Sequence, residues 1–224
     1  MNLQYKKELI LKYEGILSRI FRLFGRNKIS VKKGNKVDFG NAFMKRCEIK
    51  VFGRDNLVKI DPGLTRLSNS SINIHGNNCS IIIGAGCNLN NCRLYIEDND
   101  GRIELKRHVT ITDYTELAVL EGKRIIVGED CLFSRNIFFR TGDSHSIIDK
   151  YSGKRINPSE DIMIGDHVWI CQDVRILKGV TIGDNSIVAM GSLLTKNIFP
   201  SHSIIGGIGG KIIKTGIEWT PQSY

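Results

Sequence analysis

Proline is scarce in this chain, 4 residues among 224, and tryptophan scarcer still, with 2. No apolar run approaches the ~18 residues that cross a bilayer, and no secretory leader pattern opens the chain. Both absences point to a cytoplasmic protein. The six cysteines (47, 79, 87, 92, 131 and 171) lack the close pairing of a metal finger. They read as reduced thiols, and no metal is expected. A nucleic-acid-binding body is excluded by where the charge lies. The formal net charge is +9, but residues 1–36 hold ten Lys/Arg and two Glu, which leaves the remainder near neutral.

What is plentiful is glycine, 23 residues, beside an apolar content of 41% with 8% aromatics. This composition supports a folded aliphatic core with many tight corners. From Asp161 to Phe199 the sequence falls into hexads. An aliphatic recurs at Ile164, Ile170, Ile176, Ile182, Val188 and Leu194. Four places after each stands Val168, Val174, Val180, Ser186, Ser192 or Ile198. A period of six matches neither a helix nor a flat strand. It is the signature of a parallel β-helix whose chain turns a corner every six residues. Gly, Asp and Asn serve the corners because they tolerate unusual backbone angles.

Weaker hexads reach back to residue 37. Their first positions trace as Phe39, Lys45, Val51; Ile60, Arg66, Ile72; Ile83, Leu89, Tyr95; Leu105, Ile111, Leu117; and Val127, Phe133, Phe139. Coils thus start at 39, 60, 83, 105, 127, 164 and 182. Lys45 and Arg66 sit awkwardly at inward places. Corner motifs such as V-G-E-D (127–130) and I-G-D-H (164–167) put Gly second, where it is expected to supply a backbone angle that a Cβ disfavours. Cys87 and Cys131 take the fifth hexad place, where a small buried residue fits. The interval from 127 to 164 is about twice that from 164 to 182. Its surplus, residues 144–162, is a loop extruded from an otherwise economical solenoid, and such loops carry function.

Three segments follow: a basic N-terminal segment over 1–36, a β-helix over 37–199 with the loop 144–162, and a tail over 200–224. Residues 3–25 read as an amphipathic helix, with Leu9, Tyr13, Ile16 and Ile20 on one face and Lys12, Arg19, Arg22 and Arg26 on another. It fits a cap on the solenoid's open end, or a peripheral membrane contact through residues 1–26 at the inner face of the membrane. Pro200 is expected to end the coil. The run G-G-I-G-G-K that follows is not a phosphate loop, because Ile205 and Ile212 occupy the required Gly and Ser/Thr places. Trp219 anchors the polar tail.

The motifs D-S-H-S-I (143–147), G-K-R-I-N-P (153–158), I-G-D-H-V-W-I (164–170) and K-G-V-T-I-G-D-N-S-I-V (178–188) resemble the hexapeptide-repeat acyltransferases. Within them the chain resembles the O-acetyltransferases of bacterial capsular and sialic-acid polysaccharides. The resemblance implies a left-handed parallel β-helix, a homotrimer, and acetyl-CoA held in a groove between subunits. It implies that His145 is the catalytic base and that Trp169 lines the acetyl-CoA and acceptor cleft. Gln172, Met190, Thr195, Lys211 and Lys214 match positions that contact coenzyme A. Cys171, Met190 and G-G-I-G-G-K depart from the family's usual residues.

The chemistry needs a hydroxyl made nucleophilic beside a thioester. An imidazole titrating near neutrality can accept the hydroxyl proton and return it to the leaving thiolate. Asp143 or Asp149 is the candidate to orient the ring. Backbone N–H groups at nearby corners are the expected oxyanion donors. Lys196, Lys211 and Lys214 are placed to meet coenzyme A phosphates. His108 and His167 share the fourth hexad place and read as polar corners rather than zinc ligands, and an acylated Cys171 is not needed by a thioester donor. The expected activity is acetyl-CoA-dependent O-acetylation of an anionic surface polysaccharide, capsule or lipopolysaccharide. An N-acetyltransferase of a nucleotide-linked amino sugar, and a catalytically silent β-helix scaffold, stay open as alternatives.

Overall fold

The computed structural model describes residues 23–222. Each strand within it is followed by a corner, and successive strands pass in turn to three parallel sheets of nine, eight and nine strands. The result is a three-sided solenoid. Face A runs from Lys28–Val31 to Ile208–Gly209, and face B from Lys36–Asp38 to Asn197–Phe199. Face C runs from Phe43–Lys45 to Ser203–Gly206 and ends on Lys211–Thr215, which turns back antiparallel to its neighbour.

Each face buries an apolar column that runs through successive coils. On face A it is Ile49, Ile72, Leu94, Leu117, Phe139, Ile176 and Leu194. Face B supplies Ile60, Ile83, Leu105, Val127, Ile164, Ile182 and Phe199. Face C supplies Met44, Leu67, Leu89, Ile111, Phe133, Ile170, Val188 and Ile205. All of these are buried. Their removal from water is the main favourable term in the fold.

Four sequence expectations need correcting. The inward residues on the early coils are Met44, Leu67 and Leu94, not Lys45, Arg66 and Tyr95. The early corners depart by one residue from the six-residue step, so a strict count lands on the outward neighbour. Second, the parallel ladder starts at Lys28, before residue 37. Third, Pro200 does not end the coil: Phe199 stacks on Ile182, Ile205 on Val188 and Gly209 on Leu194. Fourth, Gly128 and Gly165 serve close approach and not a positive φ. A Cβ on Gly128 would lie 2.3 Å from the Gly165 carbonyl, and one on Gly165 would lie 2.3 Å from Asp184 Oδ1.

The positive φ belongs two residues later, at the B/C edge. His108 (φ 60°), Asp130 (56°), His167 (53°), Asn185 (56°) and His202 (57°) form a left-handed column. Asn, Asp and His tolerate that region best among residues with a Cβ. Two links of the column are hydrogen-bonded: His108 Nδ1 lies 3.0 Å from Asp130 Oδ1, and His167 Nδ1 lies 3.0 Å from Asn185 Oδ1.

No disulfide forms, and five of the six cysteines are buried. Burial pushes the Cys87 and Cys131 thiols up to about 12. They are packing groups and weak nucleophiles. The helix expected over 3–25 lies, except for its last residues, outside the described chain.

Candidate active site

Face A meets face B at the edge where the chain is longest. The gaps Ile49 to Ile60, Ile72 to Ile83, Leu94 to Leu105 and Leu117 to Val127 all exceed a six-residue step. The extruded loop, between Ile137–Arg140 and Ile162–Ile164, is the largest of these excursions. The strands on either side keep their register, with Ile125 opposite Ile162 and Val127 opposite Ile164. The loop therefore hangs from an undisturbed ladder.

Locally it is a short hairpin. Ile148 bridges Arg155, Asp149 N–H donates to the Lys154 carbonyl at 2.8 Å, and Ile156 N–H donates to the Ile147 carbonyl at 2.9 Å. Its base is pinched at Gly142, where an added Cβ would meet Ser159 Oγ at 2.1 Å. A larger residue there would turn the Ser159 hydroxyl aside and press on Ser159 Cβ, 3.2 Å away.

Buried Asn157 clasps the loop. Its Nδ2 donates to Asp143 Oδ2 and to the His145 carbonyl, both at 2.8 Å. Its Oδ1 accepts from Ile147 N–H at 2.6 Å and from Arg155 Nε at 3.3 Å. Lys178, on the next coil of the same edge, donates to Asp143 Oδ2 at 2.5 Å and to the Asn157 carbonyl at 3.2 Å. Arg155 reaches Glu121 at 2.5 Å, and Arg124 Nε reaches Asp161 at 2.7 Å. Lys196 reaches Glu160 at 2.8 Å, so that candidate for a coenzyme A phosphate is already paired.

His145 is exposed on this frame, held through its backbone carbonyl. Among the described residues its ring contacts neither candidate carboxylate. The Lys178 ammonium, then Asn157, hold the Asp143 carboxyl below the usual carboxylate range. The Ser152 hydroxyl and N–H do the same for Asp149, at 2.6 and 2.7 Å. Because the Asp143 carboxyl is lowered, its contribution to loop docking is present above the unfolded value of ~3.9 and fades as pH falls through the folded one.

Trp169 stands elsewhere, outward and half-buried on face C. Its outward row continues through Ile187 and Ile204 to Lys214, a strip of apolar side chains that ends in an ammonium. Lys211 lies on the same terminal strand, exposed. Gln172 and Met190 lie near one another at the C/A edge, where Gly191 N–H donates to the Gln172 carbonyl at 3.0 Å. Met190 is 63% exposed. Thr195 sits on the A/B side and donates weakly to the Gly209 carbonyl at 3.4 Å. Cys171, next to Gln172, has its thiol pushed up by burial.

Sequence reasoning passed over Asn157 and Lys178, although both lie inside quoted motifs. Nothing in a linear string says that an Asn twelve residues after a His will hold its carbonyl. Asn157→Ala removes four side-chain hydrogen bonds and leaves the Ile147 N–H and His145 C=O without partners. Both bonds are part-buried on exposed residues, so each is worth about 0.5–1.5 kcal/mol. The expected result is faster proteolysis within 145–156 and at least ~10-fold lower activity, with the solenoid's thermal transition little changed. Limited proteolysis beside a melting curve checks it.

Comparison with known proteins agrees with this architecture. The family model for the bacterial transferase hexapeptide (six repeats) matches residues 161–196. A polysialic acid O-acetyltransferase of Neisseria meningitidis is 30% identical over 194 residues, covering 77% of this chain and 89% of that protein. The crystal structure of the polysialic acid O-acetyltransferase OatWY superposes with a TM-score of 0.73 at 25% identity, over 88% of this chain and 92% of the other. The polySia-specific acetyltransferase NeuO superposes at 0.57 with 26% identity, over 88% of each chain. With its three-sided coils and nearly the whole length of the meningococcal protein matched at 30% identity, the chain belongs to the hexapeptide-repeat acyltransferases, among the bacterial polysaccharide O-acetyltransferases.

Proposed function

We propose that this O-acetyltransferase moves an acetyl group from acetyl-CoA to a hydroxyl of an anionic, sialic-acid-type surface polysaccharide, with His145 as general base, in a site completed by a second copy of the chain. One observation carries the reading. The A/B edge, which bears His145, lies across the solenoid from face C, which bears Trp169. A single chain cannot bring them together, whereas a ring of copies sets the edge of one against the face of the next. The homotrimer is the smallest closed ring that does so without a two-fold axis. The exposed apolar tip of the loop supports it: Ile147, Ile148, Tyr151 and Ile156 project to solvent, Tyr151 being 94% exposed. Such a patch asks for a partner surface.

In this arrangement the strip from Trp169 to Lys214 receives the apolar arm and phosphates of acetyl-CoA. Strands lie about 4.8 Å apart, so three steps separate the two ends by roughly 14 Å. His145 takes the acceptor hydroxyl's proton as its oxygen forms a bond to the acetyl carbonyl carbon. The C–S bond then breaks, and the imidazolium returns the proton to the thiolate. The first coils suit an anionic acceptor, with eleven Lys/Arg against four Asp/Glu over residues 23–68. The same basic surface, with the basic composition of residues 1–26, supports a reaction at the cytoplasmic face of the membrane.

The test is thiol release from acetyl-CoA over a panel of acidic and neutral bacterial polysaccharides. Release that requires an acidic chain supports the reading. Release with amino-sugar nucleotides instead of any polysaccharide would replace it with N-acetylation.

A further inference from the structure

We infer that the C-terminal tail builds a second glycan subsite on the B/C edge, which takes one sugar ring of the acceptor away from the hydroxyl that reacts. The inference rests on the polysaccharide reading of the acceptor given above.

The tail folds back over the edge and is fixed there at several points. Ile217 N–H donates to the His202 carbonyl at 3.1 Å, and His202 Nδ1 lies 3.1 Å from Glu218 Oε1. Trp219 Nε1 donates to the His167 carbonyl at 2.8 Å, and its ring stacks on the His167 imidazole at 4.2 Å and 8°. Both the polar tip and one side of the indole are thus committed to the edge. Its ring centre is also 5.8 Å from that of Trp169.

Between this tail and the preceding coils lies a cleft of about 390 Å³, lined by Trp219, Pro221, His167, His108, Thr110 and Asp130 among others. The volume is within the range of small-molecule sites. The lining matches a pyranose. Such a ring has an apolar C–H face and hydroxyls around its rim. The indole and the proline offer the apolar wall. Asp130, His108 and Thr110 offer acceptors and a hydroxyl donor for the rim. Asp130 is already held by His108 at 3.0 Å, so its carboxylate is posed before any ligand arrives.

Charge argues against the rival occupant. The adenine end of coenzyme A would also stack on indole, but it carries phosphates. No Lys or Arg is among the residues that line the cleft, and Asp130 brings negative charge to it. A sugar ring can lie on the indole with its hydroxyls at the rim and its carboxylate turned out to solvent, whereas the phosphates of a nucleotide find no cationic partner in the cleft. Because the cleft adjoins Trp169, a polysaccharide seated in it leaves the face C strip free for the donor.

The experiment uses the full chain with Trp219→Ala and, as a change that leaves the tail docked and the charge unaltered, Thr110→Val. Long polysialic acid and its di- and tetrasaccharides are the probes, with dextran as neutral control. Aromatic contacts of this kind are worth about 0.5–1.5 kcal/mol, or roughly twofold to tenfold in affinity. Both variants are expected to raise KM for the long polymer by about that factor. The kcat, the KM for acetyl-CoA and the kinetics with the disaccharide stay unchanged. Titration without acetyl-CoA should show the same loss of polymer affinity. An unchanged KM for the polymer in both variants, or a raised KM for acetyl-CoA instead, overturns the subsite. If no glycan is acetylated yet the wild type binds the polymer better than both variants, the subsite stands and the proposed reaction falls. Failure of the wild type to bind any glycan overturns the subsite.

Discussion

Replacing His145 by alanine is expected to lower kcat for acetyl transfer by about 10²- to 10⁴-fold, the range of positioned general-base catalysis. The melting temperature should stay within a degree or two. The second expectation follows from how the loop is held. Asn157 grips His145 by the backbone carbonyl, and Lys178 grips Asp143. The imidazole holds nothing in place, so its loss removes chemistry without undoing the clasp. The KM for acetyl-CoA should change little, because the proposed seat of its apolar arm and phosphates is the strip on face C and not the imidazole. Steady-state thiol release with wild type and variant, beside a melting curve, checks both parts. A kcat within about fivefold of wild type would assign the base to another group.

The largest effect on stability is expected from Phe139→Ala. Phe139 and Phe133 are both buried, and their rings stack at 5.4 Å with 29° between planes, inside the coil that carries the loop. Phe139 also lies between Leu117 and Ile176 in the face A column. Truncating a packed Phe costs about 3–5 kcal/mol, partly as lost transfer energy and partly as a cavity. In a solenoid each coil is stabilised mainly by its neighbours. The penalty should therefore fall at one place along the axis and weaken the junction of the early and late coils. Urea unfolding followed by two probes should show a lower midpoint, with the transitions separating if the junction gives way first. Coincident transitions at the wild-type midpoint would mean that the core repacks around the gap.

How legible the molecule was in its sequence varied along the axis. The block from Ile164 to Leu194 could be read residue by residue, because its corners hold a constant length and an arithmetic period survives. The early coils lost phase at Lys45, Arg66 and Tyr95. There the pattern of buried residues is regular in space but not in count, since the corners between strands differ by a residue. A hexad count has no means of knowing where a corner is short. The reach of the solenoid past Pro200 was hidden for a related reason. Proline ends an ordinary strand pattern, yet here it stands in a corner just after Phe199, where no ladder hydrogen bond is required of it.

The extruded loop was legible as an excess of residues, and its histidine as the group worth attention. Its architecture was not. Asn157 and Lys178 are polar residues that any surface loop might carry. Only folding shows that one is buried under His145 and that the other reaches it from the next coil. The carboxylates proposed to orient the imidazole illustrate the same limit. Asp143 is two residues from His145 in sequence, but its Oδ2 accepts from both Lys178 and Asn157 and not from the imidazole. Proximity along the chain was a poor guide to partnership.

The last strand, Lys211–Thr215, has a consequence for how the protein survives at cellular concentration. A stack of parallel strands closing on Gly209 would offer its final coil as a template on which a second molecule could continue the same ladders, as cross-β fibres do. Here face C is instead terminated by a strand of reversed polarity, paired with Ser203–Gly206 through a register irregularity between Ile204 and Ile205. Its outer rim carries Lys211 and Lys214, exposed. Reversal spoils the match for an incoming parallel strand, and the two ammonium groups repel a like copy. The strand proposed to meet coenzyme A phosphates is thus also a poor template for fibre growth.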